Sequence, residues 1–292
     1  MTSSKKLPLL VFFNCVFWHH RCTNKGAMIL MVHLPKVNFT NLSNFLLKSS
    51  SVRRYLCFLR QVYFKSTSGL KTAYSDKAND MTLYHNMFGI WQTNDRFIKL
   101  ASPLFSLETF DPSGSTLIVG PRNEHDLLIF KSLGGSWKNT RGLDLITYSP
   151  KIDLGDMHSM PYQENTYDTV ICGWTLSYSD NPSAAVSEML RVLKPGGLLA
   201  LAVEYSELSE AEVKLLSKNL NMSACSNDGY SIGFDASGQR LINSLADLTE
   251  LIPHDSELLF KNDADLKLSH SSDYLVPNPS SIIGIFRVNR GT

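Results

Sequence analysis

Three positions near the middle of the chain combine residue types that suit a bound adenine nucleotide or nucleoside. Gly120 follows the apolar run Thr116 to Val119, and a residue without a side chain lets the backbone turn sharply close to a ligand. Asp144 lies 24 residues further on, near the spacing of about 20 residues at which a carboxylate reaches ribose hydroxyls in nucleotide-binding sheets. Asp156 precedes Met157. Such a pair can place a carboxylate on the exocyclic amine of adenine and an apolar side chain against the ring.

The elements that must position these residues follow from the hydrophobic pattern. Short apolar runs alternate with helical stretches, which is typical of a doubly wound α/β layer. The run Leu198 to Val203 is continuously apolar, as expected for a strand buried on both faces. Strands are predicted at Thr116 to Val119, Gly142 to Ile146, Ile152 to Leu154, Thr169 to Cys172 and Leu198 to Val203, and helices at Glu124 to Leu133 and from Pro182. Ligands of such sheets bind at the carboxyl ends of the strands, where the three positions lie.

Beyond this core, Ser209 and Glu212 have the spacing of a capping box and predict a helix, and a further helix is predicted at Gln239 to Leu251. The apolar segments Glu257 to Lys261 and Ile282 to Val288 predict two closing strands that pair antiparallel at one edge of the sheet.

Four sequence blocks around these strands carry a more specific signal. They are Leu154-Gly155-Asp156, Met160-Pro161-Tyr162, Asn165 to Ile171 and Arg191 to Gly197. In order and spacing they resemble the class I S-adenosylmethionine-dependent methyltransferases of the small-molecule, type 11 kind. The resemblance covers about Thr116 to Glu204 and implies a Rossmann-like, doubly wound, mostly parallel sheet with antiparallel closing strands and an N-terminal extension.

The resemblance also implies the cofactor and its contacts. S-adenosylmethionine would lie with its methionine part near Gly120, its ribose at Asp144 and its adenine at Asp156 and Met157. Cys172 and Gly173 would line the pocket. The expected domains are an N-terminal extension over residues 1–80, partly helical or disordered, and a methyltransferase-like domain over 81–292, with its core at 115–206 and a closing segment at 207–292.

The glycine loop departs from the family pattern. The family carries G-x-G-x-G, whereas this chain has Gly120-Pro121-Arg122-Asn123-Glu124. Pro121 removes a backbone donor and Arg122 adds bulk at the place of the second glycine. Arg122 or Glu124 could supply replacement contacts to the methionine part, and a surface turn with ordinary charges is the alternative. The connection from Asp144 to Ile152 is also too short for the helix that normally joins these two strands.

Methyl transfer by in-line displacement requires positioning more than acid or base chemistry, so no catalytic dyad need be visible. Trp174, Tyr178 and His158 are the substrate-side candidates, with Glu204 and Tyr205 also near strand ends; packing or loop roles stay open for each. No metal site is expected, and the cluster of His19, His20 and Cys22 is read as incidental.

Composition bounds the partners and the compartment. Lys and Arg number 28 against 27 Asp and Glu, so the net charge supplies no global field for nucleic acid and favours a small-molecule partner. Five scattered cysteines without C-x-x-C spacing indicate a reducing, cytoplasmic compartment.

The N-terminal region leaves several alternatives open. Lys5-Lys6 and the apolar run Leu7 to Trp18 imitate a signal peptide, but the run is too short to span a bilayer and no stable membrane span is expected. A non-native extension or a loosely packed arm is favoured. Val52 to Phe64 predicts a basic amphipathic helix, with Leu56, Leu59, Val62 and Tyr63 on its apolar side. Such a helix can lie on a membrane or a partner, and an ordinary surface helix is the alternative.

The leading hypothesis is therefore an S-adenosylmethionine-dependent methyltransferase acting on a small molecule. A catalytically inactive relative that keeps the sheet as a binding or scaffolding module is the alternative that the degraded glycine loop favours. A dehydrogenase of the same architecture fits poorly, because G-x-G-x-x-G is missing.

Overall fold

The computed structural model describes residues 44–73, 90, 96–205, 211, 241–263 and 280–289. The chain divides into two compact units, Met1–Asn38 and Phe39–Thr292, and all described residues belong to the second. The helix predicted from Ser209 lies outside the described residues.

The elements alternate in the predicted manner. The strands are β1 (Lys71–Thr72), β2 (Thr116–Val119), β3 (Thr140–Asp144), β4 (Ile146–Thr147), β5 (Ile152–Leu154), β6 (Tyr167–Gly173), β7 (Leu193–Tyr205), β8 (Glu257–Asn262) and β9 (Ser280–Arg287). The helices are α1 (Asn44–Leu47), α2 (Ser50–Ser68), α3 (Phe97–Leu104), α4 (Glu124–Leu133), α5 (Pro182–Val192) and α6 (Leu245–Glu250), and a 3-10 turn covers Thr175–Tyr178.

Seven strands form one sheet in the order β5-β3-β2-β6-β7-β9-β8. The strands from β5 to β7 are parallel, and β9 and β8 continue the sheet antiparallel. The expectation of a Rossmann-like, mostly parallel sheet with antiparallel closing strands is confirmed. The final strand is internal, because β9 lies between β7 and β8, and β8 forms the edge of the sheet on that side.

One predicted strand is divided in two and one predicted helix is shorter, whereas strands β6 to β9 differ from their predicted bounds by at most five residues at either end. The strand predicted at Gly142 to Ile146 ends at Asp144, and Ile146–Thr147 pairs with β1 in a separate two-stranded sheet. The carboxylate of Asp144 accepts a hydrogen bond from the backbone N–H of Ile146 and so turns the chain at this point. The helix predicted at Gln239 to Leu251 is the shorter α6, which begins after a capping box formed by Ser244 and Asp247.

The register places the predicted site in one row. Val119 pairs with Leu143 on one side and with Cys172 on the other, and Asp144 pairs with Leu154. The carboxyl ends of β5, β3, β2 and β6 therefore lie side by side. Apolar side chains from both faces of the sheet form two buried clusters that hold these strands in place.

Helices α1 and α2 pack on α4 through a third cluster, in which Leu47, Cys57 and Leu128 are fully or nearly fully buried. None of the strands in the seven-stranded sheet comes from residues 1–80, within the part of the chain that the structure describes. The domain boundary near residue 80 stays a prediction. Helix α2 lies before that boundary and packs against α4, which lies after it.

We expect a protein starting at residue 81 to keep a cooperative unfolding transition, because it retains every described strand of the large sheet. Its free energy of unfolding should fall by about 1.5–3 kcal/mol, the usual cost of exposing one buried leucine, since Leu128 on α4 loses the cover of Leu47 and Cys57. A protein starting at Asn44 is the matched control and should melt like the full chain. Circular dichroism with thermal melting measures both, and a missing transition in the shorter protein alone would refute the boundary at 80.

Candidate active site

Gly120 directly follows β2, in the row formed by the carboxyl ends of the parallel strands. Its backbone conformation and its neighbours require glycine. Its φ is +66°, in the left-handed region. An added Cβ would lie 2.0 Å from Oγ1 of Thr175. The Thr175 hydroxyl donates a hydrogen bond to the carbonyl oxygen of Gly120 at 3.1 Å. The turn after β6 therefore packs directly on the turn after β2.

Asp144 is held at the end of β3 by two backbone donors. Its carboxylate accepts from the N–H of Arg122 at 2.9 Å and from the N–H of Ile146 at 3.2 Å. Burial raises the pKa of this carboxyl to about 6, and the hydrogen bonds offset only part of that rise. The carboxylate of Asp144 therefore caps the turn that follows β3.

The loop after Gly120 uses its backbone donors internally. Pro121 has no N–H, Arg122 donates to Asp144, and Asn123 donates to the carbonyl of Pro121. Arg122 has φ +56°, a left-handed conformation in a residue that carries a side chain. Asn123 then caps α4 by accepting from the N–H of His125 at 2.9 Å. The loop is thus built on side-chain and main-chain contacts within the protein.

Asp156 and His158 form a hydrogen-bonded chain that ends at Ser179. His158 Nδ1 lies 2.6 Å from Oδ1 of Asp156, and His158 Nε2 lies 2.7 Å from Oγ of Ser179. Although this order resembles an acid, base and hydroxyl relay, Ser179 is fully buried and its hydroxyl accepts from the N–H of Asn181. The chain therefore ties the loop after β5 to the turn after β6. Met157, beside Asp156, is partly buried against the core.

The end of β6 contains the remaining predicted residues. The side chain of Cys172 is fully buried in the core, and burial raises its pKa to about 12. Only its main chain can therefore line a pocket. Gly173 follows, and Leu100 and Phe97 lie at van der Waals distance from where its Cβ would be.

Trp174 and Tyr178 differ in accessibility. Trp174 has φ +63° and is buried. Its indole N–H donates to Oγ of Ser281 at 3.1 Å, and the guanidinium of Arg96 lies 4.7 Å from the ring centroid. Arg96 also pairs with Glu204 at 2.9 Å. Tyr178 is exposed. Of the two, Tyr178 is the side chain that an acceptor in solution can reach.

The buried carboxylate of Glu124 was not predicted as structural. Arg60 on α2 donates to both of its oxygens, one contact being Nη2 to Oε1 at 2.9 Å, and the Ser149 hydroxyl donates as well. Glu124 is therefore committed to the protein and does not replace the missing glycine contacts. Cys57 Sγ lies 3.6 Å from Oδ1 of Asn123. The arginines within the predicted helix Val52 to Phe64 are the sequence feature that could have predicted a buried acidic partner.

Two features are absent from the residues that the structure describes. No group of three or more His, Cys, Asp or Glu side chains there is arranged to hold a metal ion. None of the helices in those residues is long and apolar enough to cross a membrane.

Comparison with known proteins confirms the resemblance to the class I S-adenosylmethionine-dependent methyltransferases. Residues 134–201 match a family described as "Methyltransferase domain". A demethylmenaquinone methyltransferase of Renibacterium salmoninarum is 42% identical over 59 residues, which are 20% of this chain and 24% of that protein. The ubiquinone/menaquinone biosynthesis C-methyltransferase UbiE of Pseudomonas putida is 28% identical over 152 residues, which are 52% of this chain and 48% of that protein.

A solved structure, the complex of the Haloferax volcanii Trm112 methyltransferase activator with a methyltransferase, matches with a TM-score of 0.48 and 17% identity, covering 74% of this chain and 98% of that one. The chain spans at most about half the length of the two curated relatives described above. The family match begins at residue 134, after the divergent loop.

The pair of Arg60 and Glu124 is open to a direct test. Arg60→Met should lower the free energy of unfolding by about 3–5 kcal/mol, because it leaves a fully buried carboxylate without its charge partner. Adding Glu124→Gln to that variant should restore part of the loss, since the buried charge is then gone. Chemical denaturation of the two single variants and the double variant measures this coupling.

Arg141→Met is the matched control, because Arg141 pairs with Asp153 where both side chains are partly accessible to solvent. It should cost less than about 1 kcal/mol. Equal losses for Arg60→Met and Arg141→Met would contradict the buried pair.

Proposed function

We propose that this protein transfers a methyl group from S-adenosylmethionine to a small-molecule acceptor. The observation that carries the proposal is the position of Asp144 and Asp156 at the ends of adjacent parallel strands, inside the segment that matches a methyltransferase domain. Two carboxylates one strand apart suit the two polar ends of an adenosine.

The nucleoside half of the cofactor fits the residues present. Asp144 is partly buried and held by two backbone donors, so its oxygens are oriented to accept hydrogen bonds from ribose hydroxyls. Asp156 accepts from His158, which orients its carboxylate toward a donor such as the adenine amine. Met157 supplies an apolar side chain beside it. Cys172 and Gly173 contribute main chain, with no thiol chemistry, because the Cys172 side chain is in the core.

The amino-acid half must be held differently from the family pattern. The backbone donors of Arg122 and Asn123 are already used, and Glu124 is paired with Arg60. We assign the carboxylate of the cofactor to the guanidinium of Arg122, whose side chain is partly exposed at the start of the loop. When bound, the cofactor supplies an electrophilic methyl group. The chain holds the two reactants in line and excludes water.

The acceptor side is assigned to the turn after β6. Tyr178 is exposed there, and His158 lies one hydrogen bond away from that turn through Ser179. Two relatives are named for quinone biosynthesis, so an acceptor screen starts with benzoquinols and naphthoquinols. The acceptor itself is a small molecule of unassigned structure.

The backbone N–H groups of the loop already donate within the protein, which also favours a second candidate. This candidate is a catalytically inactive relative that binds or scaffolds through the same sheet. The two candidates differ in cofactor binding. Calorimetric titration with S-adenosylmethionine followed by the acceptor screen separates them. Saturable binding with methylated product supports the enzyme, and absence of binding supports the inactive relative.

Asp144→Ala should weaken S-adenosylmethionine binding about 10- to 100-fold, because about 1.5–3 kcal/mol is usual for hydrogen bonds to a charged group. The melting temperature should also fall, since the turn loses the acceptor for Arg122 and Ile146. Ser113→Ala is a matched control, because Ser113 bonds Asp111 in an exposed turn before β2. Calorimetry and thermal melting of both variants are compared. Equal affinities of wild type and Asp144→Ala would refute the ribose assignment.

The raised pKa of Asp144 predicts a pH dependence of stability. The folded state binds the proton more tightly than the unfolded state between the ordinary pKa of 3.8 and about 6, so the stability contributed by this group falls as pH rises through that window. In Asp144→Asn this titration is absent. The difference in unfolding free energy between wild type and variant, measured by urea denaturation from acid to neutral pH, should fall through that window. A flat difference would contradict the buried carboxyl.

A further inference from the structure

Helix α2 packs a mixed polar and apolar face against the protein and presents a row of apolar side chains outward. The buried residues, Arg53, Cys57 and Gln61, recur every four positions along one face. The opposite face carries Tyr55, Leu59, Val62 and Tyr63, which are 55%, 40%, 53% and 46% exposed. Ordinary surface helices bury most of their large apolar side chains, whereas this helix leaves four of them exposed.

The apolar exposure extends beyond the helix at both ends. Leu46 on α1 is 49% exposed and Leu70, just after α2, is 39% exposed. We call the surface formed by Leu46, Tyr55, Leu59, Val62, Tyr63 and Leu70 the outer face of α2. Several exposed large apolar side chains on one segment are typical of a site of interaction with a protein or a membrane.

The orientation of α2 is fixed by specific polar contacts. The guanidinium of Arg53 donates to the carbonyls of Leu47 and Lys48 at 2.6 and 2.9 Å. Arg60 donates to the buried Glu124, and Cys57 Sγ lies near Asn123. Turning the helix over would bury its apolar side and leave Glu124 without its partner. The outward position of the apolar residues is therefore built into the fold.

The charge around this face has one sign. Residues 1–75 contain 11 of the 28 Lys and Arg residues and none of the 27 Asp and Glu residues, so the rest of the chain carries 17 basic against 27 acidic residues. Lys48 and Lys71 are exposed near the two ends of the outer face, whereas the ammonium of Lys65 lies over the ring of the buried Tyr148 on the protein side of α2. An apolar stripe with basic and no acidic residues complements an anionic lipid surface.

We propose that the outer face of α2 lies on a membrane surface that contains anionic lipids. The apolar side chains enter the boundary between headgroups and acyl chains, and Lys48 and Lys71 contact the headgroup phosphates. The helix lies in the plane of the interface, and the seven-stranded sheet stays on the aqueous side. The proposal does not depend on methyl transfer, because it uses residues outside the sheet edge.

Vesicle flotation of the full-length protein tests the proposal. The protein should float with phosphatidylcholine vesicles that contain phosphatidylglycerol and remain at the bottom with pure phosphatidylcholine, and added sodium chloride should weaken binding. Leu59→Gln/Val62→Gln should weaken binding about tenfold or more by removing buried apolar area. Lys48→Glu/Lys71→Glu should weaken it by a similar factor through charge alone.

Leu258→Gln is the matched control, since Leu258 is a 38% exposed leucine on β8 and should leave flotation unchanged. Thermal melting of all variants verifies folding, and the charge variant tests the proposal independently of the apolar one. Binding that ignores both the lipid charge and the two double variants would overturn it. So would size-exclusion chromatography that shows a dimer lost in Leu59→Gln/Val62→Gln, because the face would then be covered by a second copy.

Discussion

The buried pair of Glu124 and Arg60 at the start of α4 is the interaction on which the positions of α2 and of the loop after β2 depend. A fully buried charge must be paired and hydrogen-bonded, because an unpaired one costs several kcal/mol. Arg60 and Ser149 satisfy this requirement from two separate segments, α2 and the loop after β4. The loop after β2, helix α2 and the connection between β3 and β5 all contact one another through this carboxyl group.

This constraint accounts for two features that otherwise have no connection. The loop after β2 cannot present Glu124 to a ligand, so its contacts with any cofactor must come from Arg122 or from neighbouring strands. Helix α2 must also point Arg60 inward, which turns Tyr55, Leu59 and Val62 outward. The buried pair of Arg60 and Glu124 thus affects both the proposed cofactor site and the orientation of the outer face of α2.

The sheet could be predicted because its signal is local. Continuous apolar runs such as Leu198 to Val203, each followed by a turn residue, define parallel strands whatever their partners are. The placement of Asp144 and Asp156 at strand ends followed directly. The division between β3 and β4 was missed, because it depends on which backbone donors the Asp144 carboxylate accepts. The orientation of α2 was missed for a related reason: periodicity identifies an apolar face but not the partner that fixes the opposite one.

The proposed cofactor site has two parts, the strand ends that hold the carboxylates and the loop after β2, and the sequence specifies the first part more strongly. The segment that matches a methyltransferase domain begins at residue 134 and contains the carboxylates assigned to the nucleoside. The loop at Gly120 to Glu124 lies before this segment. Its single glycine, Gly120, is required because Thr175 lies too close for a side chain at that position. A loop whose amides already bond within the protein gains rigidity and loses donors for an anion. In the proposed cofactor site, recognition of an amino-acid carboxylate would therefore depend on a side-chain charge, which solution ions screen more strongly than they screen buried amides.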